Sequence, residues 1–225
     1  MKSGGMPVLA VDVGGSHVKA LLEGETERRR FPSGPDFTAQ QMADGVLAVV
    51  EGWSFDRVSV GIPAPVGDGK PLHEPVNLGD GWVDFDYEGA FGVPTKVVND
   101  AAMQALGSYE GGGRMLFLGL GTGLGSAVIA EGVIEPLELA HLPYREKTFE
   151  HYVSERALKR EGKKEWRKNV FDVVARLSAA TEADYVVIGG GGAKELEKLP
   201  PNSRRGDNMN AFVGGFRLWQ PEWGG

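Results

Sequence analysis

An α/β protein made of two similar halves is what this sequence predicts, and three observations carry the prediction. Apolar runs of strand character alternate with stretches of helical periodicity along the chain. One device, a strand that runs into a glycine turn and then a second strand, occurs twice: "VLAVDVGGSHVKALL" from Val8 and "MLFLGLGTGLGSAVI" from Met115. Each copy opens its own half, which points to two related lobes. The 225 residues are enough to give each lobe a buried core.

The elements follow in order. A strand Val8–Val13 turns at Gly14-Gly15, a second runs Val18–Leu22, and a charged third lies near Arg28–Phe31. Ser33–Asp36 has turn chemistry and offers Asp36 as the N-cap of a helix carrying Phe37, Met42, Val46, Val49 and Trp53. Val58, Val60 and Ile62 alternate in a strand that stops at Pro63 and Pro65, and a buried strand Thr95–Val98 ends in Asn99-Asp100 before a helix from Ala101.

In the second half Val8 overlays Met115, Val13 Leu120, Gly14 Gly121 and Leu21 Val128, so Asp12 falls on Gly119. Three helical patterns follow. Thr148 opens the first, with Phe149, Tyr152, Val153 and Ala157; Trp166, Val170, Val173, Val174 and Leu177 mark the second. After a strand Tyr185–Ile188 and the glycines Gly189–Gly192, the third begins near Ala193. Lys198–Asp207 reads as a surface loop, and a last helix carries Phe212, Phe216 and Trp219 before a frayed Trp-Gly-Gly end. The expected domains are residues 1–98, residues 99–206, and a C-terminal helix and tail, 207–225, packing back on the first lobe.

Composition narrows the function. A net charge of −7 argues against nucleic acid or an anionic membrane as partner. With no cysteine, disulfides, thiolate catalysis and cysteine-ligated zinc are excluded. Asp12 interrupts the early apolar run before it could serve as a signal core, and no stretch approaches the ~20 apolar residues of a membrane span. A cytoplasmic protein is expected.

The glycine turns fit neither a Rossmann fingerprint, which opens a helix, nor a Walker loop, since Gly69-Lys70 is followed by Pro71. One such hairpin alone is an ordinary tight turn. Two matching copies, with hydroxyls at Ser16 and Thr122 and a cation at Lys19, read as paired phosphate cradles in which bare backbone N–H groups face an anion. Only the first copy carries an acid. Asp12 therefore marks a side for one Mg²⁺ held through water, or else is a hydrogen-bonded turn residue.

Asp100, where a buried strand meets a helix, reads alone as part of a cap; between two phosphate cradles it reads as a general base for phosphoryl transfer. Glu138, His141 and Glu150 follow the second hairpin, either as structural polar residues or as partners for the hydroxyls of a polyol. Gly189, Gly190, Gly191 and Gly192 form either a tight strand-to-helix turn or a loop against a nucleotide or phosphate chain. Arg160, Lys163, Lys164, Arg167 and Lys168 make one basic stripe if the helix runs through Gly162, serving as a solvated face or as a polyanion track.

These residues, taken together, resemble a known family. "DVGGSHVK" resembles the first phosphate motif of ROK-family sugar kinases, with Ser16 where threonine is usual. "GIPAPV" (Gly61–Val66) and "PVNLGDGW" (Pro75–Trp82) resemble its sugar-side loops, "NDAAMQALG" its catalytic-aspartate segment, and "GLGTGLGSAV" its second phosphate motif. "ELAH" resembles the family's E-x-G-H and "VIGGGG" its adenosine loop. The match runs in order from about Val8 to Trp219.

The resemblance implies an actin-like, ribonuclease H-like two-lobed fold with sugar and phosphoryl donor in the cleft. It makes Asp100 the base at the sugar 6-hydroxyl and gives Asn99, Glu138, His141 and Glu150 to the sugar. Asp12, Gly14, Gly15, Ser16, Lys19, Gly121, Thr122 and Gly123 surround the donor phosphates and Mg²⁺. Two departures stand out: the family's cysteine-rich zinc motif, next to His141, is missing, and Ala140 replaces a glycine. The zinc-free pattern is similar to the branch that includes polyphosphate glucokinases, which gives the basic stripe a use. The expectation is a hexose 6-kinase using polyphosphate, ATP or both, with a homodimer as the family's habit. The alternative is a sugar- or nucleotide-binding sensor without turnover.

Overall fold

In the computed structural model, which describes residues 7–221 and 223, the chain divides into two units. The first runs up to Met103 and regains the chain from Ala211; the second is Gln104–Asn210. The expected Gly224-Gly225 end lies outside the described residues.

The first unit contains β1 (Val8–Val13), β2 (His17–Leu22), β3 (Arg29–Pro32), α1 (Ala39–Val49), β4 (Arg57–Ile62), β5 (Val66–Gly67), β6 (Lys70–Pro71), α2 (Tyr87–Phe91) and β7 (Thr95–Asn99). Its main sheet has the order β3-β2-β1-β4-β7. β1 to β3 form an antiparallel meander, while β4 and β7 run parallel to β1. β1 is buried along its whole length, as a central strand covered on both faces must be.

Leu9, Val11, Val60 and Ile62 pack with Met42 and Val46 of α1 in one core. That helix is capped by Thr38, not Asp36: Thr38 and Gln41 form a reciprocal capping box, a stronger arrangement than a lone aspartate two residues earlier. Ala10 and Ser59 belong to the opposite face, where Ser59 donates 2.7 Å to the Gly215 carbonyl. A β-carbon on Gly215 would lie 2.7 Å from that of Ala10, so glycine permits this approach.

Helix α3 (Asp100–Ser108) leads into the second unit, which contains β8 (Met115–Leu120), β9 (Leu124–Ala130), β10 (Val133–Leu137), β11 (Pro143–Tyr144), β12 (Lys147–Thr148), α4 (Phe149–Val153), α5 (Glu155–Ala180), β13 (Tyr185–Gly189) and β14 (Ser203–Arg205). The chain then returns through α6 (Asn210–Arg217), the helix that bears Gly215; Trp219 lies beyond its end. The second sheet, β10-β9-β8-β13-β14, repeats the first strand for strand. Trp166, Val170, Val173 and Leu177 of α5 pack on Leu116, Leu118, Val186 and Ile188.

Several expectations need correction. Lys198–Asp207 is not all loop, because Ser203–Arg205 pairs parallel with β13 as an edge strand. The first helical pattern breaks at Ser154, which caps α5 by accepting from the Ala157 N–H. Gly162, at φ 76° and ψ 161°, interrupts α5, so Arg160 does not continue the line of Lys163, Lys164, Arg167 and Lys168 and the single stripe is broken. After the glycine run there is only a short 3₁₀ turn, Gly191–Glu195, in place of a helix from Ala193. The overlay also shifts: Leu21 pairs with Ala10 and Ala127 with Phe117, so Leu21 matches Ala127 and not Val128. The bend Gly14–His17 is one residue longer than the bend Gly121–Gly123.

Candidate functional site

In the first unit the candidate residues gather at the carboxyl ends of the parallel strands, the end where ligands collect in α/β sheets. Asp12 stands level with Gly61, Gly61 with Val98, and Asn99 closes β7. Gly61 lacks a side chain where the start of α3 passes: a β-carbon there would lie 3.4 Å from the Asp100 Cα and would run into Met103.

Asp12 is buried and pairs across the hairpin with Lys19, Nζ to Oδ2 2.8 Å. The bend between them is held by Gly14 N–H to the His17 carbonyl, 3.0 Å, and by Ser33, whose hydroxyl donates to the Gly14 carbonyl, 2.6 Å. Gly15 and Ser16 are exposed at its tip. Gly15 approaches Asn77, so the "PVNLGDGW" loop reaches the hairpin.

Asn99 is engaged at both ends of its amide. Nδ2 donates to the Ala64 carbonyl, 3.1 Å, and Oδ1 accepts from the Ala102 N–H, 3.1 Å, capping α3. One amide hydrogen and one lone pair remain for a ligand. Asp100, half-buried, accepts from the Ala101 N–H at 2.8 Å through Oδ1.

In the second unit the bend Gly121-Thr122-Gly123 closes through Gly121 N–H to the Gly123 carbonyl, 3.0 Å. The Gly121 carbonyl accepts from the Glu155 N–H, 2.8 Å, which ties the start of α5 to the bend. Gly189 ends β13, and Gly190, at φ 78°, crosses so close to Leu120 that a β-carbon would strike the Leu120 carbonyl. Beside this crossing lies a cavity of about 300 Å³ lined by Leu120, Gly121, Leu158, Trp166, Gly191 and Gly192, among others. The glycines thus shape a pocket, while the 3₁₀ turn after them is too short to supply a helix dipole.

Glu138, His141 and Glu150 are brought together. Desolvation pushes the Glu138 carboxyl above its ordinary value, His141 opposes this, and the charge of Glu150 adds to it. Glu138 is still open to solvent on one side, so the desolvation is partial. Glu150 also accepts from the Leu124 N–H, 3.2 Å, and lies against Gly123 at the second bend.

Sequence reasoning missed Ser126. Its buried hydroxyl donates to the Leu137 carbonyl, 2.6 Å, and accepts from the Leu139 N–H, 3.2 Å, fixing the backbone on both sides of Glu138. Nothing in the pattern around Ser126 distinguishes it from another β-strand serine. The basic residues of α5 already have local partners: Lys163 with Glu195 (2.8 Å), Arg167 with Glu197 (2.7 Å) and Lys168 with Glu165 (2.9 Å).

Comparison with known proteins decides the family. The ROK family model matches residues 8–135, more than half of the chain. This chain belongs to the ROK family. The polyphosphate glucokinase of Mycobacterium tuberculosis (strain H37Rv, ATCC 25618) is 26% identical over 216 residues, covering 85% of this chain and 80% of the relative.

Among solved structures, the inorganic polyphosphate/ATP-glucomannokinase of Arthrobacter sp. strain KM superposes with a TM-score of 0.81 at 25% identity, covering 93% of this chain and 96% of the other. A ROK family glucokinase from Streptomyces griseus, in complex with glucose and AMPPNP, gives a TM-score of 0.73 at 19% identity and covers 94% and 98%. The architecture is therefore the actin-like sugar-kinase fold, as the sequence leads one to expect. In this ROK protein, the gap between His141 and Glu150 is filled by the β11–β12 hairpin, with no cysteine in it.

Proposed function

We propose that this protein is a hexose kinase that transfers a phosphoryl group from polyphosphate, ATP or both to the 6-hydroxyl of glucose or a related hexose. The observation that carries the reading is an asymmetry between the two copies of one hairpin. Both have a glycine bend able to turn N–H groups toward phosphate; the first has an ion pair behind it, Asp12 with Lys19, where the second has Gly119 and Gly125, and Asp100 stands just past β7 of the same sheet.

Asp100 takes the proton of the hexose hydroxyl as it attacks the donor phosphorus. Asn99, with its remaining hydrogen, and Glu138, His141 and Glu150 hold the sugar hydroxyls. Gly14, Gly15, Ser16 and Lys19 take one part of the donor phosphates; Gly121, Thr122 and Gly123 take another. The cavity beside Gly191 and Gly192 is lined by apolar Leu120, Leu158 and Trp166 together with Glu155, Lys194 and Glu195, a mixed lining that a nucleotide donor could use. With Lys163, Arg167 and Lys168 each paired, the α5 track toward polyphosphate has less support than the hairpins.

A kinase of this kind works with Mg²⁺, and the residues fit an ion held mainly by water and donor phosphates. Among the described residues no group of three or more His, Asp or Glu forms a cage, and Asp12 is the one carboxylate at the first bend. Bound there, Mg²⁺ supplies charge neutralisation on the transferring phosphate. Lys19 holds the Asp12 carboxylate in place through the 2.8 Å ion pair.

A coupled assay for hexose 6-phosphate, run with each donor separately, tests the reading. Asp100→Asn is expected to lower kcat by ~10²–10⁴ with hexose binding kept. Normal turnover in that variant would remove Asp100 from the chemistry, and no product from any hexose with either donor would leave a binding protein without turnover.

A further inference from the structure

The hairpin β11–β12 separates His141 from Glu150, and its own hold on the protein is what fixes their spacing. Its base is closed by the Phe149 N–H donating to the Leu142 carbonyl, 3.3 Å, one residue inside each of the two. Pro143 pairs with Thr148 and Tyr144 with Lys147. The tip carries Arg145 at φ 52°, a left-handed position that side chains seldom occupy. So small a hairpin cannot hold its shape alone.

It is held by a polar network on α5. The Tyr144 hydroxyl donates to Asp172, which also accepts from Arg176 Nε at 3.1 Å. Arg145 donates 2.9 Å to Oδ1 of Asn169, and Asn169 Nδ2 donates 2.7 Å to Glu161. Asn169 is 1% exposed, a buried amide whose nitrogen and oxygen each have a partner. Glu161 sits one residue before the break at Gly162. The Tyr144 ring stacks on Phe149, centroids 4.9 Å apart, and meets Tyr152 edge-on at 5.2 Å. Phe149 is the immediate neighbour of Glu150.

We propose that the Tyr144–Asp172 and Arg145–Asn169 bonds make this hairpin a positioning device that sets His141 and Glu150 for the hexose. Tyr144, Arg145, Asn169 and Asp172 are positioning residues and touch no substrate. The inference rests on the hexose-kinase reading for its meaning, and its test includes a measurement that does not depend on turnover.

Tyr144→Phe removes the hydroxyl and keeps the ring. It is expected to raise the hexose KM about tenfold, the value of one lost hydrogen bond, with donor KM unchanged. The imidazole resonance of His141, identified by its loss in His141→Gln, is expected to move in Tyr144→Phe while those of His17 and His73 stay. Asp172→Asn keeps an oxygen to accept from Tyr144 and is expected to restore most of the hexose affinity that Asp172→Ala loses. Ile129→Val, a core change elsewhere in the same unit, is expected to lower Tm and leave hexose KM and the His141 resonance alone.

The positioning role is overturned if Tyr144→Phe shows the wild-type hexose KM and an unmoved His141 resonance, or if Ile129→Val shifts both as much. Should the wild-type protein phosphorylate no hexose, the kinase reading fails, and the His141 resonance alone still decides whether the hairpin is a brace.

Discussion

The two units carry the same five-stranded sheet and differ in what they place at its carboxyl edge. In the first, Asp12 and Lys19 face each other across the hairpin; the matching positions of the second are Gly119 and Gly125. The second unit brings its acid in from outside, as Glu150 on α4 accepts from the Leu124 N–H. Where β4 ends in Ile62, fully buried, β13 is followed by Gly190 in a left-handed conformation.

The strand-to-helix junctions differ too. Val97 matches Arg205 through their pairing with Val60 and Ile188, so Asn99-Asp100 corresponds to Asp207-Asn208. In both, the first of the two residues caps the turn, Asn99 toward Ala102 and Asp207 toward Met209. In the first unit the amide of Asn99 is the cap and the Asp100 carboxylate accepts from the adjacent Ala101 N–H; in the second the carboxylate of Asp207 is itself the cap. The duplicated hairpin thus differs at one pair of positions: the first copy carries an ion pair there and the second carries two glycines.

The sharpest way to break this contrast is Gly190→Ala. The substitution combines a left-handed backbone with a collision against Leu120, and each is worth about 1–3 kcal/mol. We expect roughly 2–4 kcal/mol of lost stability by urea unfolding, with weakened nucleotide binding where the cavity narrows. At the matching place in the first unit, Ile62→Val should cost only about 1 kcal/mol, the ordinary price of a core methylene. Equal losses at both positions would mean that the glycine edge of the second unit has no special shape.

A smaller effect tests the charged copy. Lys19→Met leaves the Asp12 carboxylate buried with its ion-pair partner removed, and we expect a loss on the order of 2 kcal/mol. The double variant Asp12→Ala/Lys19→Met should lose clearly less than the two single changes added together, because removing both charges leaves nothing stranded. Additive losses would show that the pair contributes no coupling, and the first hairpin would then be no better ordered by its charges than the second is by its glycines.

How much of this was legible beforehand depended on how strongly each feature is written locally. The two hairpins were plain, since apolar strands and glycine bends repeat at matching places, and only the one-residue difference in bend length escaped the overlay. β14 did not show, because Ser203-Arg204-Arg205 is short, polar and at the sheet edge, where no hydrophobic alternation is needed. The capping box Thr38–Gln41 was readable by its spacing and lost to the turn-like "SGPD" beside it. The single basic stripe depends on the helix running through Gly162, and the helix breaks at that glycine. Glu138, His141 and Glu150 could be grouped from their closeness in the chain, whereas the Ser126 bonds beside Glu138 and the Asn169 bonds under the β11–β12 hairpin depend on contacts no periodicity records.

The smallest expected effects concern two acids of the second unit with opposite displacements. Asp172 is held below its ordinary value, first by the Tyr144 hydrogen bond and then by Arg176. Its contribution to stability is present above the ordinary carboxylate range and lost as pH falls through its lowered value. The Tm gap between wild type and Asp172→Asn should therefore be widest near neutral pH and close in acid. Glu138 is raised, chiefly by desolvation, so its contribution is full below the ordinary value and declines as pH rises through the raised one. Glu138→Gln should thus gain Tm relative to wild type at pH 8 and show no gain at pH 4. Calorimetry across that range reads both, and opposite slopes are the required outcome. Parallel slopes would mean that Asp172 and Glu138 share one environment, and the distinction proposed between positioning and binding residues in this unit would fall.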